Sequence, residues 1–291
     1  MTISATMLFL ALAAGVLAQE PALRFEYDAT RPLDVKDTAR REDNGAVLRD
    51  VTYATLTGGT NAATLIAPKT PPAAPAPAIL FVHWYGPPAP TSNRTQFVPD
   101  AVALARQGVT SLLVDTPWSV PTWFRSRTRA EDYKRSVQQV RDLRRALDVL
   151  TAQPGIDRAR FAYVGHDFGA MYGTLAAAVD PRVTHFVFMA GTASFSDWFL
   201  YGPKMEVEAR ETFIAELAPL DPIKWVPRLR GPVLMQFADT DEHVSTARRE
   251  QLAAAAPRGT DVRIYKAGHE LNDEATRDRI AWLSKSLIRD P

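Results

Sequence analysis

The sequence predicts an α/β fold, with one mostly parallel central sheet, helices on both faces and no large cap domain. Three observations carry this. Short apolar runs alternate with helical periodicities along most of the 291 residues, the pattern of buried strands joined by helical crossovers. The run Ala78-Ile79-Leu80-Phe81-Val82 is apolar at every position, so it has no face for solvent. His83, Asp115, Asp167, Asp239, Asp241 and His269 each follow closely on such a run, and function gathers at the carboxyl ends of parallel strands.

Residues 1–18 contain no charged side chain, and 7–18 form an apolar run ending in Val16-Leu17-Ala18 before Gln19. This is the pattern of a secretory signal peptide, implying an exported, periplasmic or extracellular protein with no stable membrane association after cleavage. The run is short for a bilayer, which takes about 20 residues; with only the amino terminus as positive charge, a retained anchor is the alternative. Residues 19–45 are polar and read as irregular. A single α/β domain is expected over 46–291, a length that can bury one sizeable core.

Within that domain, 46–56 and 61–67 read as a hairpin around Thr57-Gly58-Gly59-Thr60. Residues 68–77 form a proline- and alanine-rich linker into the apolar strand 78–82. A helix near 97–107, a strand at 109–114, a helix at 131–151 and a strand at 161–164 follow, then a helix at 170–179 stopped by Asp180-Pro181. Strands at 183–189, 232–237 and 262–265 and helices near 246–256 and 274–288 complete the series. The basic residues Arg135, Arg141, Arg144 and Arg145 of the long helix read as a solvated face.

Composition narrows the function classes. There are 34 basic and 33 acidic residues, a net charge of +1, so no global field draws nucleic acid or an anionic membrane. The absence of cysteine excludes disulfides, a thiol nucleophile and thiolate metal sites. With five histidines besides, no metal and no cofactor is expected, and the partner is a small-molecule substrate. Oligomeric state has no signature in the sequence.

The chemistry centres on Gly165-His166-Asp167-Phe168-Gly169, which lies between a short apolar strand and an alanine-rich helix. The spacing is that of the G-x-S-x-G turn, in which flanking glycines allow a sharp bend and the central side chain stands at its tip. Here that side chain is the carboxylate of Asp167. His166 reads as a packed strand-end residue, His185 as a satisfied core histidine, and His243 is given no role.

Two loops would overhang this tip. Residues 115–129 carry Trp118, Trp123, Phe124, Arg125, Arg127 and Arg129; residues 195–205 carry Trp198, Phe199 and Tyr201. The aromatics would wall a pocket or pack their own loops. The arginines would hold a substrate carboxylate or form a solvated basic loop. Candidate substrate contacts are His83, Tyr85, Trp118, Trp123, Trp198 and Tyr201.

The order of these residues resembles the α/β-hydrolase superfamily, whose partners run nucleophile, acid, histidine along the chain. The resemblance covers nearly the whole mature chain, and without a long cap insertion it is closest to dienelactone hydrolase-like members. It implies the catalytic set Asp167, Asp241 and His269, with Asp239 as rival to Asp241. It also implies an oxyanion hole from the backbone N–H groups of Trp84 and Phe168. The stretch His83-Trp84-Tyr85-Gly86-Pro87 is one residue longer than the usual His-Gly-x-Pro form, which leaves open which N–H points inward.

An aspartate at the tip changes the chemistry. After attack on an ester carbonyl, the carboxylate leaves far more easily than an alkoxide, by about 12 pK units or roughly 16 kcal/mol. Attack at saturated carbon avoids this reversal, and the elbow resembles those of epoxide hydrolases and haloalkane or haloacid dehalogenases. It departs from them in Phe168, where they carry tryptophan, and in lacking their cap, so Tyr85 and Tyr201 are acid candidates by position only. Three readings follow: a hydrolase attacking an epoxide or halide through Asp167, a dienelactone hydrolase-like esterase using Asp167 as general base, and a catalytically silent binding protein.

Overall fold

A computed structural model of the chain describes residues 25–201 and 205–288; the expected signal peptide at 1–18 lies outside them. Among the described residues, nine strands form one sheet: β1 (Lys36–Asp43), β2 (Ala46–Ala54), β3 (Thr60–Pro68), β4 (Ala76–Val82), β5 (Thr110–Val114), β6 (Ile156–His166), β7 (His185–Met189), β8 (Val233–Ala238) and β9 (Asp261–Tyr265). Their spatial order is β1-β2-β3-β5-β4-β6-β7-β8-β9. The first three neighbouring pairs are antiparallel, and the five from β5·β4 to β8·β9 are parallel.

Side-chain alternation along the central strands explains why they are apolar throughout. On β4, Leu80 and Val82 enter the core shared with α3 (Arg129–Thr151) and α4 (Phe168–Val179). Ile79 and Phe81 enter the opposite core, with α1 (Val98–Ala105) and α9 (Asp273–Leu283). Because successive side chains point to opposite faces, a strand covered on both sides can place no polar residue at either.

Three expectations need correction. Residues 36–43 are not irregular: they form β1, exposed along its length and joined to β2 through Asn44-Gly45, both at positive φ (44° and 84°). Asn-Gly is a strong two-residue hairpin signal, but an edge strand solvated on both faces has no apolar alternation to reveal it. Ion pairs Arg41–Asp50 (2.7 Å) and Arg49–Asp37 (2.6 Å) cross this hairpin. Secondly, Arg144 and Arg145 are not solvated. Arg145 is 1% exposed and donates to the carbonyls of Arg31 (2.7 Å) and Pro32 (2.6 Å); Arg144 pairs with Asp180 (3.1 Å) and donates to Phe25 O (2.8 Å). Together they fasten the polar N-terminal stretch to α3. Thirdly, the connection from β7 to β8 carries helices that its weak periodicity conceals: α5 (Ser196–Phe199), α6 (Val207–Leu217) and α7 (Pro222–Trp225).

The remaining helices are the short α2 (Trp123–Ser126) after β5 and α8 (Thr246–Ala255) between β8 and β9. Among the described residues, no helix is long and apolar enough to cross a membrane.

Candidate active site

The turn from β6 into α4 is built by close packing. A Cβ on Gly165 would collide with the Gly169 carbonyl, and one on Gly169 would collide with the Val82 carbonyl. Only glycine lets α4 begin so close to β4 and β6. Between them Asp167 adopts φ 55°, ψ −119°, a backbone state that costs a non-glycine residue about 1–3 kcal/mol and clusters at functional sites.

That conformation directs the Asp167 carboxylate into a nearly closed site; the residue is 4% exposed. Its Oδ2 accepts the Tyr85 N–H at 2.8 Å, and the carboxylate also accepts the Phe168 N–H at the start of α4. Its Oδ1 lies 3.9 Å from His269 Nε2. The opposite ring nitrogen, Nδ1–H, donates to both Asp241 oxygens at 3.0 Å each. Asp241 also accepts the backbone N–H groups of His243 (2.8 Å) and Val244 (2.9 Å). Asp239 faces elsewhere, accepting the Ala267 N–H at 3.2 Å, so the acid beside His269 is Asp241.

Burial raises the Asp167 carboxyl to about 7, against the opposing charge of His269 and the N–H groups of Tyr85 and Phe168. Burial also works against ionisation of Asp241, but the His269 hydrogen bond and charge and the two N–H groups outweigh it and lower its pKa. For His269, burial is outweighed in turn by the Asp241 hydrogen bond and the charges of Asp167 and Asp241, and the pKa rises.

Trp84 is not the inward donor. Its N–H is taken by Gln96 Oε1 at 2.9 Å, and the Tyr85 N–H faces Asp167 instead. The extra residue in the loop after β4 moves the inward position by one. Gly86 permits this, because a Cβ there would strike the Trp84 ring at 2.6 Å.

A cavity of about 270 Å³ opens over Asp167, lined by Tyr85, Gly86, Pro87, Phe124, Phe168, Trp198, Tyr201, His243 and His269. Of the six expected substrate contacts, Tyr85, Trp198 and Tyr201 lie on it. His83 does not: it is 1% exposed, donates from Nδ1 to Trp84 O at 2.7 Å and meets Thr116 and Ser119 hydroxyls at 2.9 and 2.8 Å. Trp118 is fully buried and donates to His83 O at 3.0 Å. Trp123 backs the wall, with its ring 5.1 Å from Phe168 and 5.5 Å from Tyr85. A larger cavity of about 680 Å³ runs beside α3 and contains none of Asp167, Asp241 or His269, so the smaller one is where chemistry can occur.

Phe124, in α2, walls the cavity as the aromatic loop suggested. His243, given no role by the sequence, also lines it: its Nδ1 meets the Tyr201 hydroxyl at 3.2 Å and its ring meets His269 at 4.8 Å. Of the loop arginines, Arg127 is engaged within the protein rather than open to a substrate carboxylate. Arg127 is sandwiched between the rings of Phe124 (4.4 Å) and Phe199 (4.7 Å) and bonded to Asp132 and the Phe199 carbonyl, bolting α2 to α5 behind the cavity.

No protein-family model matches the chain, and no curated protein matches it in sequence. Solved structures do match in shape. An acetyl xylan esterase from a Paenibacillus species superposes with TM-score 0.72 at 18% identity, over 88% of this chain and 90% of that one. Acetyl xylan esterase 1 from a Thermoanaerobacterium species gives 0.67 at 18% identity, over 88% and 87%. A Klebsiella pneumoniae protein described as a dienelactone hydrolase gives 0.60 at 16% identity, over 84% and 99%. With a sheet crossing from antiparallel to parallel, an elbow after β6, an acid after β8 and a histidine after β9, the chain has the α/β-hydrolase fold.

Proposed function

We propose that this chain is a hydrolase of small organic molecules in which Asp167 attacks a saturated carbon bearing an epoxide oxygen or a halide. The observation that carries this reading is the Asp167 carboxylate lying on the inward backbone N–H groups, with Oδ2 on that of Tyr85 at 2.8 Å and the Phe168 N–H also bonded to the carboxylate. In an esterase those donors are needed by the substrate's carbonyl oxygen. Here the carboxylate already takes them, and with Oδ2 held by Tyr85 it is Oδ1, 3.9 Å from His269 Nε2, that is left as the nucleophile.

In the first step Oδ1 bonds to the carbon and the carbon–oxygen or carbon–halogen bond breaks; the electron pair leaves with the halide, or with the epoxide oxygen, which takes a proton from the Tyr201 hydroxyl on the cavity wall, later restored from solvent. In the second, His269 Nε2 takes a proton from water, which attacks Cγ of the resulting ester. The negative charge develops on Oδ2, already on the Tyr85 N–H, and the imidazolium formed is held by Asp241. The product alcohol leaves with the proton from His269. Raising Asp167 to about 7 narrows the leaving-group gap to an alkoxide to about 9 pK units, still roughly 12 kcal/mol against covalent ester cleavage.

One observation favours a second reading. A carboxyl near 7 suits a general base at neutral pH, and the neighbours in shape include acetyl xylan esterases; Asp167 would then activate water toward an ester. Intact-protein mass separates the two. His269→Gln soaked with epoxides, alkyl halides and short-chain esters is expected to gain a covalent adduct on Asp167 from an epoxide or halide. Ester hydrolysis that needs both Asp167 and His269, with no adduct from any epoxide or halide, would replace the first reading with the second. Export follows from the residues at 1–18 as part of the same proposal, checked by N-terminal sequencing of secreted protein beginning at Gln19.

A further inference from the structure

Behind the cavity, three hydrogen bonds run in one direction between two loops remote in sequence. Trp84 N–H donates to Gln96 Oε1 at 2.9 Å, Gln96 Nε2 donates to His166 Nδ1 at 2.6 Å, and His166 Nε2 donates to His269 O at 2.9 Å. One proton arrangement satisfies all three. A backbone N–H can only donate, so the Gln96 oxygen must face Trp84 and its amide nitrogen must face His166. His166 must then accept at Nδ1 and carry its hydrogen on Nε2, as the carbonyl of His269 requires.

The two rings at the ends of this hydrogen-bond chain are shielded, and Gln96 between them is half-buried. His166 is 1% and Trp84 6% exposed, and their rings stack at 5.5 Å and 5°. Burial lowers His166 to about 3, so the ring stays neutral and keeps the tautomer.

We propose that Gln96 and His166 are positioning residues: their directional chain fixes the loop after β4 relative to the loop after β9, so that the Tyr85 N–H and His269 Nε2 converge on Asp167. Gln96 occupies the Trp84 N–H and thereby selects Tyr85 as the inward donor. His166 holds the backbone carbonyl of His269 while Asp241 holds its ring. Both loops serve ester hydrolysis most, since that step needs the donor on Oδ2 and the base on water together. This rests on the covalent reading given above, while the chain itself can be tested without it.

The experiment combines histidine-selective nitrogen-15 NMR with single-turnover mass measurement of adduct formation and decay. In the parent, His166 is expected to be neutral and protonated on Nε2 at pH 5, with Nδ1 shifted as an acceptor; a proton on Nδ1 would overturn the chain. Gln96→Met, which keeps side-chain length and removes both bonds, is expected to move Nδ1 to its free position and slow adduct hydrolysis about 10²-fold, so that the covalent adduct accumulates. Gln96→Glu keeps an acceptor for Trp84, loses the donor to His166, and is expected to fall between parent and Gln96→Met. If Gln96→Met lowers only melting temperature and hydrolyses the adduct at the parent rate per folded molecule, the positioning role is wrong. Absence of any adduct in His269→Gln would instead remove the covalent reading, and the NMR would still decide the hydrogen-bond chain.

Discussion

The elbow after β6 and the acid loop after β8 each bring a buried aspartate to His269, yet the two carboxylates are driven in opposite directions. Asp241 receives two backbone N–H groups and the imidazole N–H, and its pKa falls. Asp167 stands 3.9 Å from the imidazole, and burial prevails over its hydrogen bonds to raise it to about 7. The acid loop holds a permanent charge. The elbow holds a charge that the site stabilises poorly, and a poorly stabilised carboxylate is the better nucleophile. Residue type is the same; the number and closeness of donors assign the roles.

The strongest way to break this comparison is to remove the group between them. His269→Gln is expected to lower steady-state turnover by roughly 10⁴-fold or more while leaving Asp167 able to form its adduct, read by stopped-flow kinetics beside intact mass. Equal loss of adduct formation and turnover would mean that His269 acts before the covalent step. Slightly smaller is the effect of Asp241→Asn, expected at about 10³–10⁴-fold on turnover, against Asp239→Asn, expected near the parent value because Asp239 only closes a turn. Comparable losses in both variants would remove the distinction.

The pH dependence sharpens the same contrast. Adduct formation requires ionised Asp167, so its rate is expected to rise as pH passes through about 7 and to level above it. Asp241, already held below the usual carboxylate range, adds no second rise between pH 5 and 8. A rate flat from pH 5 to 9 would contradict the raised elbow. Stability gives the smallest effect and the opposite sign. A carboxyl whose folded pKa lies above its unfolded value favours folding at low pH, and that contribution is lost as pH rises through about 7. Asp167→Asn, which cannot ionise, is therefore expected to melt higher than the parent at pH 8.5, with the gain disappearing near pH 4. A constant difference at both pH values would show that it comes from the strained elbow backbone rather than from charge.

Much of the parallel sheet is legible in the sequence because burial on both faces forces apolar runs, as in β4 and in residues 161–164 of β6. The elbow is legible because Gly165 and Gly169 answer backbone collisions that no other residue tolerates. What is not legible depends on geometry between distant segments. β1 is solvated on both faces and leaves only Asn44-Gly45 as a trace. Arg145 reads as a surface cation, yet it is buried by the carbonyls of Arg31 and Pro32. The inward donor shifts from Trp84 to Tyr85 because Gln96, twelve residues on, takes the Trp84 N–H. His83 sits at a strand end as reactive residues do and Trp118 in an aromatic loop, but their polar atoms are turned into the core.

The central claim is that Asp167 bonds to carbon, and single turnover in heavy-oxygen water tests it most directly. The account predicts that, after one turnover of an epoxide or halide, the peptide containing Asp167 carries one solvent oxygen and the product alcohol carries none. Solvent oxygen found only in the product would contradict it.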